Sequence, residues 1–235
     1  MLGLADPWRC RTGGLAWISR HIATSRKAKE CNPVKLFFSP GACSLSPHIV
    51  LNELGVPFQS ETVDLKSKKT KSGADFRQIN PKGQVPALEM DDGKVLTEGA
   101  VIVQYLADRK PEAKLAPPAG SADRYRLQEW LNYIAAEIHK GMGPMFNPKA
   151  SDEWKAVVRE NLSARFDFLS GVLKGKDYLM GSFSVADAYL YTILSWTGYA
   201  NMDLAKWPVL KAYFDRVGAR PAVRATLAAE AKASA

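Results

Sequence analysis

The sequence predicts an α/β domain with the element order βαβαββα, followed by an all-helical domain. Three observations lead there. Strand-like and helix-like stretches alternate between residues 34 and 109. Residues 110–121 hold Pro111, Pro117 and Pro118 and little periodicity. Beyond them, apolar residues recur three and four apart and no strand signal survives. At 235 residues and 46% hydrophobic, the chain is long enough for two modest cores, and we place the domains at residues 34–114 and 115–235.

The elements follow in order. VKLFFS reads as a buried strand and SPGACS as the turn after it. From Pro47 a helix carries Ile49, Val50, Leu51 and Leu54 at helical spacing, and Gly55 stops it. Residues 58–65 alternate as a second strand, and a lysine-rich loop with a short helix at residues 74–78 leads to the turn Asn80-Pro81-Lys82-Gly83. PALEM and KVLT flank Asp91-Asp92-Gly93, whose Asp-Gly pair suits a tight hairpin. Glu98 then opens a helix carrying Val101, Ile102, Tyr105 and Leu106, which completes a thioredoxin-like layout.

Four helices are expected at residues 122–141, 151–174, 185–196 and 207–218. Ser184-Val185-Ala186-Asp187 has the form of a capping box with Asp in the usual Glu place. The Ala-rich segment 222–235 is expected to form a last helix that frays. Trp130, Trp154, Trp196 and Trp207, with Tyr189, Tyr191 and Tyr199, fall on apolar helical faces and are assigned to the core.

Residues 1–33 show no sustained period and read as an appendage to the fold. Val34-Lys35-Leu36 looks like an initiation site read through from an earlier start, although an Arg-rich, acid-poor leader would also suit a transit peptide. The segment holds six basic residues against Asp6 and Glu30, so it supplies +4 of the net charge of +8. The remaining +4 is ordinary for a soluble enzyme and argues against nucleic acid as a partner. No apolar run approaches the roughly 20 residues that span a bilayer. Cys10, Cys31 and Cys43 are too few and too irregularly spaced for a disulfide framework or a zinc site, which points to a reducing, cytoplasmic setting and no metal.

Three places along the first domain could carry chemistry. Cys43 sits after a strand and before a helix, where free amides and the helix dipole favour negative charge on sulfur; a buried structural cysteine is the alternative. Val85-Pro86 stands at the start of a strand. A cis bond there would turn the Val85 N–H and C=O outward for an extended peptide, whereas a trans proline would guard an edge strand. Thr97-Glu98-Gly99 opens a helix whose amides suit a carboxylate while the Glu98 side chain receives an ammonium, or simply caps the helix. In the second domain Asn132, Ala136 and His139 fall four and seven residues along one predicted helix and share a face able to line a cleft.

SPGACSLSPHIVLNELGVPF, INPKGQVPALEMDDG and LTEGAVIVQYLAD, with WLNYIAAEIHKGMGPMFNP in the helical half, resemble the beta class of bacterial glutathione transferases from about Val34 nearly to the C-terminus. The resemblance implies a site in which the Val85 backbone, before Pro86, pairs with the cysteinyl part of glutathione. Glu98 and Gly99 would hold its γ-glutamyl end and Lys68 its glycyl carboxylate, and Asn132, Ala136 and His139 would complete the binding surface. Cys43 or Ser44 would donate a hydrogen bond to the glutathione thiolate, which attacks a small electrophile, with His139 also catalytic. No cofactor is implied beyond glutathione itself, and a homodimer is implied as the assembly. An ionised Cys43 would instead support thiol-disulfide exchange, and a non-catalytic carrier is a third reading.

Overall fold

The structure, a computed structural model, describes residues 33–234, so all but the last residue of the expected appendage, and the extreme C-terminal residue, lie outside the described residues. The first domain is a mixed sheet of order β3-β2-β1-β4-β5. Strand β1 (Lys35–Phe38) runs parallel to β2 (Gln59–Asp64) and antiparallel to β4 (Ala87–Glu89), which pairs in turn with β5 (Val95–Thr97). The period-two alternation of β1 splits the core: Leu36 and Phe38 enter the main apolar cluster, while Phe37 packs with Val63, Phe76, Val85 and Ala87 on the other face. The fifth strand, β3 (Lys69–Thr70), falls in the stretch expected to be only a loop. Two residues are too short to show alternation, and β3 is fixed instead by hydrogen bonds from the Thr70 N–H to the Ala74 carbonyl and from the Lys71 N–H to the Thr62 carbonyl.

Helix α1 (Leu45–Leu54) follows β1 and ends at Gly55, whose φ of 61° is the left-handed stop that the sequence called for. Helix α2 (Gly99–Arg109) follows β5. After the linker come α3 (Ala122–Tyr133), a π-helical turn (Ile134–His139), the short α4 (Lys140–Met142), α5 (Asp152–Leu173), α6 (Val185–Leu194), α7 (Pro208–Gly218) and α8 (Pro221–Ser234). The single helix expected over residues 122–141 is thus interrupted by a wider turn, which changes which residues share a face.

The helices rest directly on the α/β layer. Helix α6 is buried along its whole length and packs on α1. Arg124 of α3 reaches both carboxylate oxygens of Asp108 at 2.7 and 2.6 Å, and Arg220 holds Glu53 of α1 at 2.6 and 2.9 Å. The capping box is present and extends further than its sequence indicates. The buried Asp187 carboxylate accepts from the Ser184 N–H and hydroxyl, from the Leu179 N–H and from the Tyr213 hydroxyl.

One expectation is extended here and one corrected. Helix α8 is anchored as far as Glu230: Val223, Thr226 and Glu230 are buried at spacings of three and four, Asn52 donates to the Thr226 hydroxyl at 2.7 Å, and Glu230 reaches the first domain. Among the aromatic residues assigned to the core, Trp154 and Tyr199 are exposed.

Because Asp187 satisfies four donors in a buried place, its removal leaves several of them unpaired. We expect Asp187→Ala to lower the unfolding free energy by about 3 kcal/mol or more. Urea denaturation of the two proteins at equal concentration checks this; a loss below about 1 kcal/mol would contradict it.

Candidate active site

A cleft of about 670 Å³ opens between the edge of the α/β layer and the helices. That volume suits a small-molecule site. Cys43, Lys68, Lys82, Val85, Pro86, Glu98 and Gly99 form one wall, and Ala135, Ala136, His139, Lys140, Tyr189 and Trp196 the other.

Cys43 stands between β1 and α1, where the Ser46 N–H bonds back to its carbonyl to begin the first turn. Its thiol donates to the Val85 carbonyl at 3.1 Å. The Cys43 and Ser44 amides do favour negative charge on sulfur, as the position suggests, but burial outweighs them and the nearby Glu98 adds to it, so the thiol is pushed up to about 11. In the free protein burial thus favours the thiol form near neutral pH, the S–H donor of the two forms that the sequence left open. The expectation for Ser44 is corrected. It is fully buried, its hydroxyl donates to the Ser39 carbonyl at 3.2 Å and accepts from the Ser39 N–H at 3.1 Å, and it does not line the cleft. The hydroxyl fixes the turn that presents Cys43.

The Val85-Pro86 bond is cis, and the Val85 N–H has no acceptor among the described residues. Lys68 adopts φ 58° and donates from Nζ to the Gly83 carbonyl at 2.8 Å. Gly83 itself has φ 62°, a left-handed backbone that favours glycine, and the Lys68 side chain packs across it. Glu98 precedes α2 with φ 70°, a left-handed backbone that turns the chain from β5 into the helix. Its Oε1 accepts from Lys82 Nζ at 2.6 Å, and Lys82 also donates to the Thr97 hydroxyl at 3.0 Å. Glu98 is the one acid among the described lining residues, against Lys68, Lys82 and Lys140.

On the helical wall the π-helical turn brings Ala135, Ala136 and His139 to the cleft, while Asn132, one turn earlier, is exposed and outside the lining. The even spacing of a regular helix does not hold across the wider turn. His139 Nδ1 lies 2.7 Å from the Tyr189 hydroxyl, and its ring meets Trp196 edge-on. Burial, with Lys140 adjacent, holds His139 down to about 4, so it is neutral at pH 7; burial keeps the Tyr189 phenol protonated well above its ordinary range. Lys82, Lys140, Tyr189 and Trp196 were not anticipated as site residues. Trp196 falls two residues past α6, and its indole donates to the Gly41 carbonyl at 2.8 Å, a contact across 155 residues that no local pattern announces.

His139 sets a pH signature. Between its ordinary value of 6.5 and about 4 the unfolded chain binds a proton that the folded chain excludes. The stability this group contributes is complete above pH 6.5 and falls as the pH drops toward 4. We expect the His139 imidazole resonance to titrate near pH 4 by NMR; a midpoint at or above 6 would contradict its burial.

With this geometry in place, comparison with known proteins is direct. Residues 41–109 match the glutathione S-transferase N-terminal domain and residues 133–221 the glutathione S-transferase C-terminal domain. Glutathione S-transferase GstA of Escherichia coli O157:H7 is 45% identical, over 84% of this chain and 98% of that protein. A sphingomonad glutathione S-transferase solved in complex with glutathione is 48% identical with a TM-score of 0.82, covering 84% of this chain and 98% of its own. The beta-class glutathione S-transferase of Sphingomonas chungbukensis is 44% identical with a TM-score of 0.81, over 83% of this chain and 98% of its own. A thioredoxin-like sheet closed by helices, a cysteine at the turn after its first strand, and this breadth of similarity lead to one conclusion: the chain belongs to the glutathione S-transferase family and resembles its bacterial beta class.

Proposed function

We propose that this transferase joins the sulfur of glutathione to small hydrophobic electrophiles, with residues 34–114 holding the peptide and residues 115–235 supplying the electrophile's half of the cleft. The observation that carries the reading is Cys43 itself: a buried thiol, protonated at neutral pH, aimed at a backbone carbonyl beside the cleft. Such a group is a hydrogen-bond donor in waiting rather than a nucleophile.

Glutathione binds extended along the Val85 edge, its γ-glutamyl end at Glu98 and the first amides of α2, its glycyl carboxylate at Lys68. The glutathione thiol gives its proton to solvent. The Cys43 S–H then turns from the Val85 carbonyl to the new thiolate, which the amide-rich start of α1 also favours. The thiolate attacks the electrophilic carbon; a C–S bond forms and the leaving group departs with its electron pair. His139, neutral and held by the Tyr189 hydroxyl, contributes a ring N–H to the reacting ensemble. Trp196 and Tyr189 give the electrophile aromatic surface, and Phe146, outside the lining, packs edge-on to Trp196 at 5.7 Å.

No helix among the described residues is long and apolar enough to cross a membrane, and the reading takes the enzyme to be a cytoplasmic homodimer on the family likeness. No group of metal-ligating side chains is clustered among the described residues, and conjugation through a bound thiolate calls on none. Asn132, expected on the same face as His139, is exposed and outside the lining, so the reading gives it no contact with glutathione. Thiol-disulfide exchange through Cys43 is disfavoured, because it needs the thiolate that burial opposes.

The two reactions separate in one experiment: turnover of a chloronitroaromatic and of hydroxyethyl disulfide, each with glutathione, by the intact protein and by Cys43→Ala. Loss of one donor among several is expected to lower conjugation by about tenfold or less. Disulfide reduction outpacing conjugation in the intact protein, and abolished in the variant, would make exchange the function instead.

A further inference from the structure

We infer that Lys82 is the partner of the α-carboxylate of the γ-glutamyl head group, and that the Lys82–Glu98 ion pair is the protein's own stand-in for that head group in the free state. The inference rests on the glutathione reading above.

The free protein already shows half of the exchange. Lys82 Nζ sits 2.6 Å from Glu98 Oε1 and 3.0 Å from Thr97 Oγ1, at the mouth of the cleft beside the start of α2. Both side chains are more than half exposed, so the pair is weak in water and opens at small cost. An amino-acid head group carries an ammonium and a carboxylate on the same carbon. Its ammonium can replace Lys82 on Glu98, which leaves the Lys82 ammonium beside that same carbon's carboxylate. One solvent-exposed ion pair thus becomes two, with no charge left unmatched.

The rest of the wall leaves this place to Lys82. Gly99, at the first position of α2, has no side chain to donate, so the protein otherwise offers the carboxylate only the first amides of the helix. Lys68, bonded to the Gly83 carbonyl, serves the glycyl end of the peptide in the reading above, and Lys140 stands on the helical wall beside His139. Among the described lining residues, Lys82 is the cation in contact with Glu98.

The test compares glutathione with γ-aminobutyryl-cysteinyl-glycine, which keeps the ammonium and lacks the head carboxylate. In the intact protein the missing carboxylate is expected to lower kcat/KM by about tenfold or more, the worth of a charge-assisted hydrogen bond. Lys82→Met is expected to raise KM for glutathione by about the same factor with kcat little changed, and to leave the analogue unaffected. Lys82→Arg restores most of the loss. A Lys82→Met protein that binds glutathione equally well or more tightly would show that Lys82 merely competes for Glu98, and equal losses with both peptides would reduce it to a packing role; either overturns the inference. An intact protein that turns over neither peptide overturns the glutathione reading, and this inference with it.

Discussion

A single buried carboxylate from the last helix holds the site in shape. Glu230 of α8 accepts from the Gly41 N–H at 2.8 Å and lies 2.8 Å from His48 Nδ1, while Trp196 from the end of α6 donates to the Gly41 carbonyl. Gly41 is two residues before Cys43, so both polar groups of its peptide are gripped by the helical domain just where the chain turns from β1 into α1. The Glu230–His48 contact is buried, and such a contact costs much more to leave unpaired than it contributes when made. The two bonds to the exposed Gly41 backbone then tie the turn to that anchored helix and to Trp196. The position of the Cys43 sulfur is a property of both domains at once.

That docking also explains the electrostatics. The helices that grip the turn remove water from Cys43, His139 and Tyr189 together, and burial shifts each toward its neutral form: a thiol, a neutral imidazole and a phenol. Most of the charge lies elsewhere, on Glu98, Lys68 and Lys82, with Lys140 the one charged lining residue beside His139. The cleft thus divides into a charged end fit for the termini of a peptide and a neutral, aromatic end where charge develops only on the sulfur. A donor that stays protonated is the useful partner for that sulfur, because it stabilises the thiolate without contesting its proton.

The division between what was legible in the sequence and what was not follows the range of the interactions. Strand β1, the stop at Gly55, the hairpin at Asp91-Asp92-Gly93 and the capping box at Ser184 are set by neighbours within a few residues, and all four stand where the pattern puts them. Cys43, Val85 and Glu98 were legible for the same reason, since each sits at an element end, whereas Lys68 on the same wall lies in a loop and entered only through the family resemblance. Ser44 was misread because its hydroxyl is claimed by Ser39, five residues away, a choice made by the turn and not by residue type. Asn132 was grouped with His139 because a π-helical turn leaves no mark in an apolar period. Glu230 is the instructive case: Val223, Thr226 and Glu230 already carried helical spacing, but the composition of the tail drew attention to fraying, and the partner that makes the acid tolerable lies 189 residues upstream.

The account turns on which sulfur is ionised when glutathione is bound, and calorimetric titration at pH 7 in buffers of different ionisation enthalpy counts the protons that leave. Binding of glutathione is predicted to release about one proton, because a thiol with an ordinary pKa near 8.5 becomes a thiolate, and binding of S-methylglutathione is predicted to release none. No release with glutathione, or equal release with both ligands, would place the ionisation elsewhere and contradict a protonated Cys43 serving a glutathione thiolate.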